Sequence, residues 1–270
     1  MLTKITPDYE VLLKEPCPFE MDLPWSNEGF AQRFYDVVHD WGIPTEKEIS
    51  FIESYLHGNS RLLDLACGGG RHAIGLAEKG HNVTGIEIGW YPLSLARERA
   101  EKKELTIEFF QNDILKLNYR SEFDCAFLIC GQLGHFSPND SQIVFENASR
   151  AIRKNGTFLI HLFGFGDEDK SNFTSWYTEK KAFYFENPSF VHREQYYNPS
   201  NRVKIIRDFA VDTITRQNAL FGVSEKNYTA HELSQMGKNC GLKLIESFGN
   251  FDKSPLKADS RENIYVFIKK

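Results

Sequence analysis

Apolar residues along this chain change their spacing three times, and each change predicts a different kind of structure. Residues 1–29 hold Pro7, Pro16, Pro18 and Pro24 without a sustained period, which predicts an irregular arm. From Phe30 the spacing is helical (Phe30, Phe34, Tyr35, Val37, Val38), breaks at Gly42-Ile43-Pro44, and resumes at Ile49, Phe51, Ile52 and Leu56. Thr45 and Glu48 are spaced as a capping box for that second helix, and Gly58 is its stop. From Arg61 onward, short apolar runs alternate with helical stretches, the rhythm of parallel strands joined by crossover helices. The strands are Arg61–Ala66, Asn82–Ile88, Thr106–Gln111, Phe123–Cys130 and Thr157–Phe163, and the helices are Arg71–Lys79, Pro92–Lys103 and Asp140–Arg153. Phe123–Cys130 is apolar almost throughout, as a strand buried on both faces must be.

After Phe163 the period falls to two. Gly164–Ser171 is a polar link, and Lys181–Glu186, Phe190–Tyr197, Arg202–Val211 and Thr215–Val223 read as short strands. Val203, Ile205, Arg207, Phe209 and Val211 share one face of the third, and Asn198-Pro199-Ser200-Asn201 is a turn. Neighbouring strands with short turns are antiparallel, so this block is an insertion lying outside the parallel sheet. Helix returns at Thr229–Asn239, with Thr229 and Glu232 as a capping box and Gly241 as its stop. Leu242–Phe248 and Asn263–Lys269 are the last strands. The fold class is therefore α/β, a doubly wound and mostly parallel sheet with an antiparallel β insertion.

Charge and cysteine usage narrow the function. The net charge is −5 and no Lys/Arg block exceeds two residues, which argues against a nucleic-acid partner. Five scattered cysteines without a Cys-x-x-Cys pair predict reduced thiols and a cytoplasmic protein. No apolar stretch reaches the roughly 20 residues of a membrane span, and no metal spacing is present. Aromatic residues make up 14%, with 22 phenylalanines, which fits either a Phe-rich core or an aromatic wall around a flat or apolar ligand.

The chemistry is concentrated at Arg61-Leu62-Leu63-Asp64-Leu65-Ala66-Cys67-Gly68-Gly69-Gly70-Arg71-His72 and Gly85-Ile86-Glu87. Each apolar run ends in an acid, and glycines separate them, the pattern of a strand, a tight turn into a helix, and a second strand. Read as Gly68-x-Gly70-x-x-Ala73, the glycines fit a dinucleotide cofactor, and Glu87 can take both ribose hydroxyls of any adenosine-containing one. Asp64 separates the possibilities, because it would set an anion beside a pyrophosphate, whereas S-adenosylmethionine carries an ammonium and a sulfonium. A hydrogen bond to a charged group is worth roughly 1.5–3 kcal/mol, so the sign of that contact matters.

Asp64-x-Ala66-x-Gly68-x-Gly70 resembles the first motif of the class I S-adenosylmethionine-dependent methyltransferases. The resemblance covers residues 30–163 and 229–270, and implies a seven-stranded sheet in the order 3-2-1-4-5-7-6 with the last strand antiparallel. It implies an N-terminal arm and covering helices over 1–60, a cofactor domain over 61–170 and 229–270, and a flap over 171–228. Cofactor contacts are expected from Asp64, Ala66, Gly68, Gly70, Glu87, Ile88, Asn112, Asp113, Ile114 and Cys130. Asp113 matches the acid that takes the adenine amino group, and it also suits a helix N-cap. Arg71 either carries a solvated charge or reaches the cofactor carboxylate, and Tyr35 either bonds that carboxylate or packs.

The loop Cys130-Gly131-Gln132-Leu133-Gly134-His135-Phe136 follows the fourth strand, at the methyl-donor end. It lacks the Asn/Asp-Pro-Pro-Tyr motif of relatives that methylate bases or amides. His135 is the candidate general base, since imidazole exchanges protons near neutral pH, with His161 and His192 as weaker candidates. Phe136, Phe190, Arg193 and Tyr196 are the candidate acceptor contacts. The insertion matches a small-molecule subset of the family, so a small-molecule acceptor and a monomer or homodimer are expected. A protein or RNA methyltransferase and a catalytically silent cofactor-binding module are the alternatives. The segment Gly249-Asn250-Phe251-Asp252-Lys253-Ser254-Pro255 resembles the same subset without an assigned chemistry.

Overall fold

A computed structural model describes residues 32–34, 45–180 and 184–270. Helix α1 (Thr45–Glu53) precedes the alternating unit: β1 (Arg61–Leu65), α2 (Arg71–Glu78), β2 (Asn82–Glu87), α3 (Trp90–Lys102), β3 (Glu108–Gln111), β4 (Phe123–Leu128), α4 (Pro138–Ala151) and β5 (Ile152–Phe163). Four strands follow, β6 (Phe173–Glu179), β7 (Ser189–Asn198), β8 (Val203–Asp212) and β9 (Asn218–Lys226). The chain closes with α5 (Ala230–Asn239), β10 (Leu242–Phe248) and β11 (Glu262–Lys269).

The large sheet has the order β10-β11-β5-β4-β1-β2-β3, with β11 antiparallel to both its neighbours. This is the expected order 3-2-1-4-5-7-6. Adjacent residues of one strand point to opposite faces, and here both faces are covered. Leu62 and Leu63 are each 0% exposed, one packed with Phe127 and Leu159 beneath α1 and α2, the other with Phe145 and Phe158 beneath α4. That burial explains why the strands read as continuous apolar runs. Among the described residues, no helix is long and apolar enough to cross a membrane.

The insertion forms a separate sheet in the order β6-β7-β8-β9, antiparallel throughout. Its first strand differs from the expectation. The chain pairs over Phe173–Glu179 against β7, while 184–187 is a bend and 181–183 lies outside the described residues. The sequence Thr-Ser-Trp-Tyr-Thr is β-branched and aromatic, but its exposed side chains blur the alternation that marks a half-buried strand.

Candidate active site

The strand order reverses between β1 and β4, and the crevice at the carboxyl ends beside such a reversal is where open α/β sheets bind ligands. The register brings the candidate residues to that edge: Asp64 pairs beside Gly85 and Phe127, and Glu87 beside Gln111. Between β1 and α2 the chain turns through three positive φ angles, at Ala66 (57°), Gly68 (54°) and Gly70 (77°). At Gly70 a Cβ would also lie 2.9 Å from that of Ala96 on α3. Only glycine satisfies both the angle and the approach there.

Glu87, 6% exposed, braces this turn. Its Oε2 accepts the Gly68 N–H (2.9 Å) and its Oε1 the Gly89 N–H (2.7 Å). Each carboxylate oxygen keeps a second lone pair, so the group can still accept two hydroxyls. Burial raises its pKa, and the amides of Gly89 and Gly68 pull it back. Asp64 is 2% exposed; its carboxylate accepts the Ala73 amide, and Oδ2 has no partner. Burial raises its pKa well above the carboxylate range; Arg71 opposes that shift and Glu87 adds to it. An unpartnered buried oxygen beside a second carboxylate is a site for a cation. It suits an ammonium and repels a pyrophosphate.

Arg71 is anchored on α1 rather than solvated. Its guanidinium is held by Glu48 of α1 through Nη1 and Nη2, donates to Thr45 Oγ1 (2.9 Å), and lies 3.6 Å from Cys130 Sγ. His72 Nε2 donates to the same carboxylate at 3.0 Å. Burial would raise the pKa of Glu48, but the bonds from His72 and Arg71 outweigh it and hold the group at about 2. Burial lowers the pKa of His72, so the neutral ring is the donor. Glu48, expected as part of a capping box, instead turns inward, 3% exposed, and ties α1 to the glycine turn. Nothing in the local spacing distinguishes that role from capping.

Of the other cofactor candidates, Ile88 is exposed at the end of β2, Ile114 is buried, and Asn112 donates its N–H to Glu87 O at 3.0 Å. Asp113 caps the short 3-10 turn Ile114–Lys116 by accepting the Leu115 N–H at 2.9 Å, and its second oxygen faces Lys116 at 3.6 Å. Cys130 has a φ of 70°. Tyr35 lies outside the described residues.

His135 sits on a 3-10 turn, Gln132–His135, and its Nδ1 donates to Ser224 O of β9 at 3.0 Å. Gly134 packs beside it, where a Cβ would lie 3.2 Å from Lys226 O. The insertion is therefore joined to the loop after β4. Phe136 packs on the core beneath α4. The insertion candidates separate: Phe190 and Tyr196 lie on one face of β7 and Arg193 on the other, because their spacing is odd. Arg193 holds Asp208 with both Nε (2.8 Å) and Nη2 (2.6 Å), and Tyr184 donates to the same buried carboxylate at 2.5 Å. Asp208 raises the pKa of Arg193. The three residues expected together cannot line one pocket from this sheet. On the opposite face, Trp176, His192, Phe209 and Leu220 form a row of register partners across all four strands. Trp176 (61% exposed) stacks on Phe190 and His192 at 5.0 and 4.1 Å.

Comparison with known proteins agrees with this chemistry. Residues 62–156 match a methyltransferase domain family. A methyltransferase-like chain of Bacillus subtilis (strain 168), YqeM, is 26% identical over 250 residues, covering 86% of this chain and 93% of its own length. A relative in Geobacillus sp. (strain WCH70) is 30% identical over 141 residues, and the match spans 50% of this chain and 56% of that protein. The solved structure of an S-adenosylmethionine-dependent methyltransferase from Clostridium acetobutylicum ATCC 824 superposes with a TM-score of 0.69 at 18% identity, covering 87% of this chain and 96% of that one. An amino pentose methyltransferase from Micromonospora echinaspora superposes at 0.63 with 14% identity, covering 88% and 97%.

Residues 62–156 are a methyltransferase domain, and the chain resembles the class I, S-adenosylmethionine-dependent methyltransferases. Its cofactor is S-adenosylmethionine. The matched residues 62–156 contain both carboxylates, the glycine turn and the loop after β4.

Proposed function

We propose that this methyltransferase acts on a small-molecule acceptor held between the loop after β4 and the antiparallel insertion. The observation that carries the reading is the bond from His135 Nδ1 to Ser224 O, which joins the loop to β9. With Nδ1 donating, the neutral imidazole keeps its lone pair on Nε2, so the ring is oriented as a proton acceptor. Several proteins of similar fold act on small molecules: the Micromonospora enzyme on an amino pentose, and another on a sugar nitrogen. A partial relative acts in ubiquinone biosynthesis, 38% identical over 68 residues. The acidic balance of the chain, −5, supports the same reading over a nucleic-acid substrate.

Bound at the glycine turn, the cofactor supplies a methyl group already activated by its sulfonium. Asp64 and Glu87 would hold its ammonium and ribose, with Asn112, Asp113, Ile114 and Ile88 around the base and Ala66, Gly68, Gly70 and Cys130 along its length. Arg71 acts through Glu48, keeping α1 over the turn. Alignment of donor and acceptor is the main contribution, with effective molarities that reach about 10⁵–10⁸ M in well-oriented systems. Proton removal by His135 would add roughly 10²–10⁴-fold for an acceptor that must lose a proton. The 171–228 insertion serves as the flap over the acceptor, and the cytoplasm is the compartment consistent with the free cysteines Cys67, Cys125, Cys130 and Cys240 among the described residues.

The test is a methyl-transfer screen across amines, phenols, carboxylates and thiols with labelled donor, repeated with His135→Ala. Transfer to a small molecule, with turnover reduced in the variant and S-adenosylhomocysteine affinity unchanged, is the expected result. Salt-sensitive methylation of nucleic acid, or of protein alone, would overturn the acceptor class.

A further inference from the structure

We infer that His161 is a positioning residue that sets the Cys130–Gly131 turn at the methyl-donor end of the site. The inference rests on the cofactor-site reading above. His161 is the penultimate inward residue of β5 and is 1% exposed, so it does not reach an acceptor as a base. Its Nδ1 accepts the Cys130 N–H at 3.1 Å, and its main-chain oxygen accepts the Gly131 N–H, also at 3.1 Å. One residue thus receives both successive amides of the turn. Because Nδ1 accepts, the ring proton resides on Nε2, which lies close to the Glu262 carboxylate of β11 but outside hydrogen-bond geometry with it.

The turn requires such a hold. Cys130 and Gly131 have φ angles of 70° and 72°, two left-handed residues in sequence. A residue with a Cβ is strained in this region, and the strain persists only where the surroundings over-determine it. Gly131 admits no side chain, since a Cβ there would meet the Phe163 ring at 2.5 Å. The turn then leads directly into Gln132–His135, while the Cys130 side chain meets Arg71 of α2 at 3.6 Å. A shift of the turn would move both the candidate base and the contact to the glycine turn.

The ring of His161 is itself fixed from outside. Phe163 and Phe251 approach it edge-on, each with ring centroids 5.0 Å away. Phe251 belongs to the segment Gly249–Pro255, which had no assigned role. That segment is closed by Gly249 N–H donating to Ser254 O at 2.8 Å. Phe251 also packs edge-on against Phe51 of α1 at 5.6 Å, and Lys253 lies over the Tyr55 ring at 4.6 Å. The segment therefore clamps α1 and His161 together.

Two variants separate positioning from packing. His161→Asn presents an acceptor oxygen close to the place of Nδ1, whereas His161→Leu fills the apolar surroundings but accepts nothing. We expect S-adenosylhomocysteine, measured by calorimetry, to bind the Asn variant within about three-fold of wild type and the Leu variant at least about ten-fold more weakly, about 1.4 kcal/mol. A packing role would give the opposite order, because Leu suits a site between two phenylalanines better than Asn. Nitrogen-15 NMR of the wild type should find His161 protonated at Nε2 and bare at Nδ1. A proton on Nδ1, or binding that follows thermal stability across the variants, overturns the inference. If the Leu variant does not fold, the tautomer and the Asn affinity still decide it. Absence of S-adenosylhomocysteine binding by wild type would instead overturn the cofactor-site reading, leaving the tautomer as an independent result.

Discussion

The parallel sheet and the inserted antiparallel sheet solve opposite problems with polar residues. In the parallel sheet both faces are buried, so a carboxylate is expelled to the strand ends, where Asp64 and Glu87 stand at 2% and 6% exposure. In the insertion, polar groups occupy strand interiors. Asp208, in the middle of β8, is buried beneath Arg193 and Tyr184, and Glu194 pairs with Arg207 across the other face. In the first sheet, position along the strand marks the proposed cofactor contacts. In the second, charge at a strand centre is part of how the sheet holds itself together. A charged residue is therefore a strong functional signal only where its surroundings leave it no structural use.

That contrast predicts effects of different kind and size. The largest is at the contact between α1 and the parallel sheet. Glu48→Ala leaves Arg71 and His72 without their shared partner, and removing one member of a buried pair typically costs about 3–5 kcal/mol. Thermal unfolding should show the loss, with cofactor affinity falling as α1 loosens. The same residue sets an acid dependence. Its folded pKa of about 2 lies below the ordinary 4.5, so its contribution is complete above about 4.5 and disappears as pH falls toward 2. Glu48→Gln should flatten the stability curve in that window, and an unchanged curve would show that other carboxylates carry acid unfolding.

A smaller effect, confined to binding, is expected at the strand ends. Glu87→Ala removes the acceptor of Gly68 and Gly89 as well as the proposed contact for the ribose. S-adenosylhomocysteine binding should weaken ten-fold or more, at least about 1.4 kcal/mol. Calorimetry that finds nicotinamide dinucleotide binding, with no response to S-adenosylhomocysteine, would break the assignment of this edge.

The smallest effect belongs to the insertion. Arg193→Lys keeps the charge but loses the two-pronged contact with Asp208, which should cost about 1 kcal/mol in stability. S-adenosylhomocysteine affinity should not change. A large loss of cofactor affinity in this variant would mean that the two sheets do not divide their work as described.

Along the cofactor edge, much was legible from residues alone. The acid, glycine and acid series in Asp64, Gly68–Gly70 and Glu87 has a local cause, since strand, turn and helix are contiguous and their backbone demands appear as residue types. Thr229 and Glu232 form the expected capping box for the same reason. The anchor of Arg71 was not legible, because its partner, Glu48, lies 23 residues earlier on another element. His161 was weighed as a base, whereas its position under Phe251 and against Cys130 makes it a buried acceptor.

The sequence by itself determined the alternating fold, the strand order implied by its family motif, and the carboxylates at the strand ends. Those features follow from periodicity and from local backbone requirements, both of which are written in consecutive residues. Tertiary structure alone decided the partner of Arg71, the face on which each insertion residue lies, and the hold of His161 on the loop after β4. Each of these depends on which distant surfaces meet. Antiparallel strands offer two faces to choose between, and burial, which makes a charge seek one partner over water, exists only once the chain has closed on itself.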